Sequence, residues 1–219
     1  MYKMTAFKLI LVTGLAAVST YSSLANANLI DDVYAEECRK VGIQNIEPLS
    51  YMFDGRTVAV IKKVRQRIDL MSRQGNSEAT FSLALCYLGN SKCGSYTQTD
   101  KTTAFRLFKQ AADAGYVPAM VNTGLGYFNG LGVRENKTTA LEYFKRAAQH
   151  NDPIAQYNIG HILRYKKSFF GLMQNSEGKE WFGKSCDNGY EPGCEAYSLY
   201  DNEYHATPLQ GYFIDPWYN

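Results

Sequence analysis

The chain has 219 residues, of which 23 are Lys or Arg and 21 are Asp or Glu, so its formal net charge is +2. Proteins that bind nucleic acids normally carry a basic excess, because phosphate contacts and counterion release dominate their affinity. The balance of charges therefore argues against a nucleic-acid partner, while the length suffices for one domain with a continuous core.

The first 27 residues are predicted to be an export signal. Lys3 and Lys8 precede an apolar run from Leu9 to Val18, and Ala25-Asn26-Ala27 supplies small residues at the cleavage site. The run is far shorter than the roughly 20 apolar residues that span a bilayer, so we expect no direct membrane insertion. Cleavage would leave the mature chain in the periplasm. Retention of the segment as an N-terminal anchor is the alternative.

Two helices are expected before the main body of the chain. Asp31 to Lys40 is predicted to form the first and Thr57 to Arg73 the second, because apolar residues recur there at helical spacing. Gly42 and Gly75 follow the two predicted helices, as is common at helix ends. We interpret residues 28–76 as a divergent capping unit in front of a repeat array.

From residue 77 onward, small residues recur at a nearly constant period. The first column consists of Ala79, Ala119, Ala155 and Gly193. Two further columns keep the same register, namely Ala84, Gly124, Gly160 and Ser198, and then Phe108, Phe144 and Phe182. Such self-similarity indicates stacked repeats that share one core. The predicted units are residues 77–117, 118–152 and 153–191, with a partial unit at 192–200.

Each unit is predicted to be an antiparallel pair of helices. In the second unit the helical pattern is interrupted at Gly130-Leu131-Gly132 and resumes at Ala140. Gly124 is expected to let the two helix backbones approach each other. Asn151 and Gly189 suit left-handed helix ends between units. The expected fold class is therefore an all-α solenoid of about four helix pairs.

The loop between the helices of the third unit is unusually apolar. Residues 166–175 include Phe169 and Phe170, which are candidates for contact with a partner. The alternative is that the loop folds onto the solenoid.

The C-terminal residues, 201–219, are rich in aromatic side chains. Trp217 and Tyr218 are candidates for binding a partner, since Trp and Tyr are typical interface anchors. Alternatively the tail folds back over the last helix and caps the solenoid.

All five cysteines lie beyond the predicted signal, in a chain bound for an oxidising compartment. The spacings Cys86-x6-Cys93 and Cys186-x7-Cys194 are not the paired CxxC motifs of zinc sites, so we predict two disulfides and no metal. Cys38 is left over. It is either a buried thiol or the site of a bridge to a partner.

No arrangement of residues points to catalysis. The three histidines, His150, His161 and His205, belong to no HExxH motif, and GxSxG is absent as well. We therefore expect a protein that is not an enzyme and needs no cofactor.

The second unit resembles the Sel-one-like repeat (SLR), a relative of the tetratricopeptide repeat. The resemblance rests on Thr123-Gly124, Gly130-x-Gly132-Val133 and Tyr143-Phe144, followed by Ala147-Ala148. It extends over residues 77–200, although the first and third units lack the Gly-x-Gly-Val turn. The Cys186–Cys194 pair also resembles the bridge of cysteine-rich, exported bacterial members.

The resemblance implies a right-handed solenoid that binds other proteins. Its concave wall would be lined by the first helix of each unit, which places Ser82, Asn122, Asn158 and His161 there as candidate partner-binding residues. Exported members of the family imply a role as an adaptor for an envelope machine, such as a type VI secretion system. The alternative is an immunity protein that neutralises a secreted effector, for example a lipase.

Overall fold

The computed structural model describes residues 28–42, 55–90, 93, 100–164 and 176–200. These residues form nine α-helices and no strand. The helices are α1 (Asn28–Lys40), α2 (Gly55–Arg73), α3 (Ser77–Tyr87), α4 (Lys101–Asp113), α5 (Val117–Asn129), α6 (Lys137–Ala148), α7 (Pro153–Arg164), α8 (Ser176–Asp187) and α9 (Glu191–Ser198).

The helices stack in chain order as an α/α solenoid. Within each repeat the first helix packs on the second, giving the pairs α3–α4, α5–α6 and α7–α8, and each second helix also packs on the first helix of the next pair. The core is a continuous cluster of apolar side chains that runs from Ile30 in α1 to Leu163 in α7. The predicted fold class is confirmed.

Local sequence explains where the helices begin and end. Asn76 and Asp152 accept hydrogen bonds from the backbone N–H groups of Ala79 and Ala155, at 2.9 and 2.8 Å, and so cap α3 and α7. The helices α5 and α9 instead carry a proline in their first turn. The turn that leads to α7 contains Asn151, the one described residue other than glycine with a positive φ (58°), which confirms the predicted left-handed end.

Glycines in the second column make room for aromatic rings, and Gly160 also lies close to the backbone of Gly178. A Cβ atom added to Gly124 would lie 2.7 Å from the ring of Phe144 in α6, and one added to Gly160 would lie 2.8 Å from the ring of Phe182 in α8. Both phenylalanines are fully buried. The expectation that Gly124 allows two backbones to meet is therefore corrected, because the phenylalanine ring fills the space.

The two helices predicted before the repeats are present, and salt bridges link them. Arg67 of α2 lies 2.6 Å from Glu36 and 3.2 Å from Glu37 of α1, and Lys40 contacts the same two carboxylates. Helix α2 then packs on α3, which continues the stack into the first repeat. Cys38 is a free, buried thiol among these helices, and burial raises its pKa.

Both predicted disulfides are confirmed. Cys86–Cys93 closes the end of α3 onto the segment that follows it, with a Cα–Cα distance of 5.2 Å. Cys186–Cys194 joins α8 to α9 with a Cα–Cα distance of 4.4 Å. The second bridge ties the last complete repeat to the helix that follows it.

Among the described helices, none combines the length and the apolar character that crossing a membrane requires.

Candidate functional site

One side of α5 carries neither of the two glycines that face the neighbouring second helices. In α5, Gly124 faces Phe144 of α6 and Gly126 faces Phe105 of α4. Leu125 lies about 100° from each of these around the helix axis and so points away from both. Val121 and Asn122 lie one turn earlier on the same side.

We call this side the inner face. It comprises three equivalent positions in each of three successive repeats, and all nine side chains are buried. They are Phe81, Ser82 and Leu85 in α3, Val121, Asn122 and Leu125 in α5, and Tyr157, Asn158 and His161 in α7. The equivalent positions in α3 and α7 do contact second helices, since Phe81 lies against Phe108 of α4, and Tyr157 and His161 lie against Phe182 of α8.

The structure thus places four predicted partner-binding residues at buried positions of the first helices. Ser82, Asn122 and Asn158 have no exposed area, and His161 is 2% exposed. Because these four side chains are buried in the folded chain, they offer almost no exposed area to an external protein. Their role in binding stays a prediction.

The other predicted contact residues, Phe169, Phe170, Trp217 and Tyr218, lie outside the described residues.

His161 lies in an aromatic cluster at one end of the inner face. Its ring centroid is 4.5 Å from that of Tyr157 and 5.1 Å from that of Phe182, both in edge-on geometry. Burial lowers the pKa of His161 from its usual 6.5 to about 4, and the charge of Arg164 adds to the effect. The imidazole is therefore neutral at physiological pH.

Acidic and hydroxyl groups lie at the opposite end of the inner face. Glu78 is one helical turn before Ser82 on α3, and burial together with the nearby Asp32 raises the pKa of its carboxyl group. Burial and Glu78 in turn raise the pKa of Tyr116. The hydroxyl groups of Ser82 and Tyr116 are buried and have no hydrogen-bond partner.

Five members of the inner face were missed by reasoning from the sequence, namely Phe81, Leu85, Val121, Leu125 and Tyr157. Leu85 and Leu125 are equivalent to His161, and Tyr157 is equivalent to Phe81 and Val121. These positions could have been identified from the sequence, because each lies a constant number of residues after the first small-residue column. We expected a binding surface to consist of polar side chains, and we therefore interpreted the apolar residues at these positions as part of the core.

Within the described part of the chain, no three His, Cys, Asp or Glu side chains are grouped so that they could hold a metal ion.

A stack of helix pairs that presents equivalent positions of successive repeats on one face defines a helical-repeat scaffold for protein–protein interaction. The chain belongs to the Sel1 repeat family. The model of that repeat matches residues 77–116, 117–152 and 153–190, more than half of the chain.

Curated relatives share only part of their length with this chain. Chitin synthase regulatory factor 2 of Schizosaccharomyces pombe is 38% identical over 99 residues, which are 45% of this chain and 18% of that protein. The Sel1-repeat-containing protein YjcO of Escherichia coli is 26% identical over 136 residues, 60% of this chain and 58% of that protein. The match thus covers less than two thirds of either relative.

Two solved structures share the fold. A Sel1 repeat protein from Oxalobacter formigenes superposes with a TM-score of 0.54 at 20% identity, covering 66% of this chain and 56% of that one. The protective antigen c5321 of uropathogenic Escherichia coli, which displays an SLR fold, gives a TM-score of 0.56 at 21% identity, covering 87% of this chain and 42% of that one.

Proposed function

We propose that this protein is a periplasmic adaptor that binds other proteins through its helical repeats. Residues 1–27 act as the cleaved export signal, and the mature chain positions components of an envelope machine such as a type VI secretion system. The chain brings no chemistry of its own, and specificity comes from shape and hydrogen bonding.

The observation that carries the proposal is the register of the inner face. Ser82, Asn122 and Asn158 occupy the same position in three successive repeats, so small polar groups recur at regular intervals along one surface. Asn side chains offer both a donor and an acceptor, which suits an extended polypeptide backbone. Leu85 and Leu125 lie beside them as buried apolar residues.

The disulfides support an oxidising location. Cys86–Cys93 and Cys186–Cys194 are both formed, and structural disulfides are typical of exported proteins. Among the relatives, one is named a chitin synthase regulatory factor, which suits a regulatory or adaptor role without identifying a partner for this chain.

The test is capture of partners from the periplasm. The full-length gene is expressed with a C-terminal tag, proteins are cross-linked in intact cells, and tagged material is identified by mass spectrometry. The matched variants are Asn122→Ala with Asn158→Ala on the inner face, and Arg106→Ala with Glu142→Ala on the exposed surface of α4 and α6.

An adaptor predicts several components of one envelope complex, which are lost with the inner-face variant and kept with the surface variant. A single effector encoded beside this gene would instead identify an immunity protein. Recovery of the tagged protein only from the cytoplasm would contradict the proposed location.

A further inference from the structure

Helix α2 concentrates positive charge in a chain that is almost neutral overall. It contains six Lys or Arg residues and one Asp, whereas the whole chain has a formal net charge of +2. Contacts within the protein engage three of the basic side chains. Arg65 stacks on the ring of Tyr87 at 4.7 Å, Arg67 pairs with two carboxylates of α1, and Arg73 lies 2.9 Å from Asp69.

Two neighbouring lysines of α2 remain available to a partner. Lys62 and Lys63 are both exposed, and within the described part of the chain neither forms an ion pair. An exposed ammonium group without an intramolecular counter-charge attracts anionic groups from outside the protein.

Apolar side chains lie on the same side of α2. Val58 is 53% exposed and Leu70 is 56% exposed, which makes them the two most exposed large apolar residues that the structure describes. Measured from Val58 around the helix axis, Lys62 lies at about 40°, Leu70 at about 120° and Lys63 at about 140°. The opposite side of the helix is buried in the core and contains Val60, Val64 and Ile68.

We call the side that carries Val58, Lys62, Lys63 and Leu70 the basic face of α2. The ion pair of Arg73 with Asp69 lies on this side as well and adds no net charge.

The composition of the basic face distinguishes between two kinds of partner. Protein–protein interfaces are enriched in aromatic residues and depleted of lysine, and their affinity comes from clustered anchors. Helix α2 has no aromatic residue, and Val58 and Leu70 are about 18 Å apart along its axis. A lipid surface has no such requirement, because lysine amines reach the phosphate groups while their aliphatic stems and nearby aliphatic side chains lie among the headgroups. The face therefore fits an anionic membrane better than an acidic protein.

We propose that the basic face of α2 docks on the surface of a membrane that contains anionic phospholipids. Lys62 and Lys63 approach the headgroup phosphates, and Val58 and Leu70 lie among the headgroups. Helix α2 rests on the bilayer and does not cross it, since its other side is buried in the protein core. The proposal goes beyond the proposed function, because it concerns where the protein sits and does not depend on which proteins its repeats bind.

Binding of this kind is reversible and sensitive to salt. An anionic surface attracts lysine only within about a Debye length, which is about 10 Å at 0.1 M ionic strength and about 3 Å at 1 M. Two lysines and two aliphatic side chains also form a much weaker anchor than a transmembrane helix. We expect an equilibrium between bound and free protein that shifts towards the free form as salt is added.

The test measures binding of the purified chain from residue 28 onward, which contains all the described helices, to lipid vesicles. One set of vesicles contains phosphatidylglycerol and phosphatidylcholine in equal parts, and another contains phosphatidylcholine alone. Sedimentation gives the bound fraction as a function of lipid concentration. The proposal predicts binding to the anionic vesicles that is lost in about 1 M salt, and little binding to the neutral vesicles.

Matched pairs of substitutions locate the binding surface. Lys62→Gln with Lys63→Gln removes two charges from the basic face, and Arg106→Gln with Lys145→Gln removes two exposed charges from α4 and α6. We expect the first pair to weaken binding to anionic vesicles at least about tenfold and the second pair by less than about threefold. All four positions are exposed, and circular dichroism checks that the helices persist in each variant.

A third pair, Val58→Ser with Leu70→Ser, tests the apolar part of the face without changing the net charge. It should also weaken binding to the anionic vesicles.

Equal weakening by the two charge-removing pairs, or no binding of the parent chain to anionic vesicles, would overturn the proposal. Binding to poly-glutamate but not to the vesicles would also overturn it and would identify an acidic protein as the partner. Neither result bears on whether the repeats bind envelope proteins, which the capture experiment decides separately.

Discussion

His161 is the residue at which the third repeat departs from its predecessors, because the equivalent positions in the first two repeats are Leu85 and Leu125. An imidazole that replaces leucine in a buried position must stay neutral or cost free energy. Contact with the rings of Tyr157 and Phe182 offers little stabilisation to a neutral ring beyond ordinary packing. The position is therefore a built-in source of acid sensitivity.

The sign of that sensitivity follows from the pKa of His161, which burial lowers from 6.5 to about 4. Between these values the unfolded chain binds a proton that the folded chain does not, so the stability present above pH 6.5 is lost as the pH falls towards 4. The difference corresponds to about 3 kcal/mol. Urea denaturation at pH 7 and pH 4 should show this loss in the parent chain and a much smaller loss after His161→Leu.

The control is His150→Gln, at an exposed position in the turn after α6. It should leave the acid-induced loss unchanged. An equal loss in the parent chain and in the His161→Leu variant would show that His161 is protonated without cost, contrary to the burial seen here.

For Glu78 we expect the opposite dependence of stability on pH. Burial and Asp32 raise the pKa of its carboxyl group, so the ionised form is disfavoured in the folded chain and its cost appears as the pH rises through that pKa. Glu78→Gln should raise the melting temperature at pH 7 and have little effect at pH 4, as measured by calorimetry. A lower melting temperature at pH 7 would show that Glu78 has a favourable partner.

At the scale of the element, the turn between α5 and α6 needs a glycine at position 132 for two separate reasons. Gly132 has a φ of 72°, and a Cβ atom added to it would overlap the backbone carbonyl of Lys101 at the start of α4. Gly115 also has a positive φ, 91°, but a Cβ atom added there meets nothing.

Comparison of Gly132→Ala with Gly115→Ala therefore separates the clash from the cost of the backbone conformation. Gly115→Ala should cost about 1 to 2 kcal/mol of unfolding free energy. Gly132→Ala should cost at least about 3 kcal/mol, because the turn must also move away from α4. Similar values from denaturant titration would mean that the turn does not fit closely against the preceding repeat.

The disulfide between α8 and α9 should stabilise the protein mainly by restricting the conformations of the unfolded chain. It closes a loop with a sequence separation of 8, for which chain entropy predicts about 2 to 3 kcal/mol. Replacing both cysteines by serine should lower the unfolding free energy by that amount and increase hydrogen exchange in α9 more than in α5. Uniform exchange along the chain would argue against a local role for this bridge.

The predictability of these elements depended on periodicity. The nine helices, the left-handed turn at Asn151 and both disulfides follow from repeated small residues, aromatic columns and cysteine spacing. The role of Gly124 did not, because a small residue signals close packing without saying whether a backbone or the ring of Phe144 fills the space. The burial of Asn122 and Asn158 was also not evident, since an amide on a helix is usually exposed and only the folded structure shows that both are buried.

At the scale of the whole molecule, the outer helices and the inner face of the solenoid differ in their side chains. The outer helices carry exposed charges such as Lys109 and Arg146, whereas the inner face combines apolar positions with amides and ends near the acidic Glu78.

The most direct test of a binding role for the inner face is site-specific photo-cross-linking in intact cells. The photoreactive analogue is placed at Leu125 or, as the matched control, at Glu142, and products that join two proteins are identified by mass spectrometry. The account predicts a defined partner protein cross-linked from position 125 and none from position 142. Partner cross-links from position 142 with none from position 125 would contradict it.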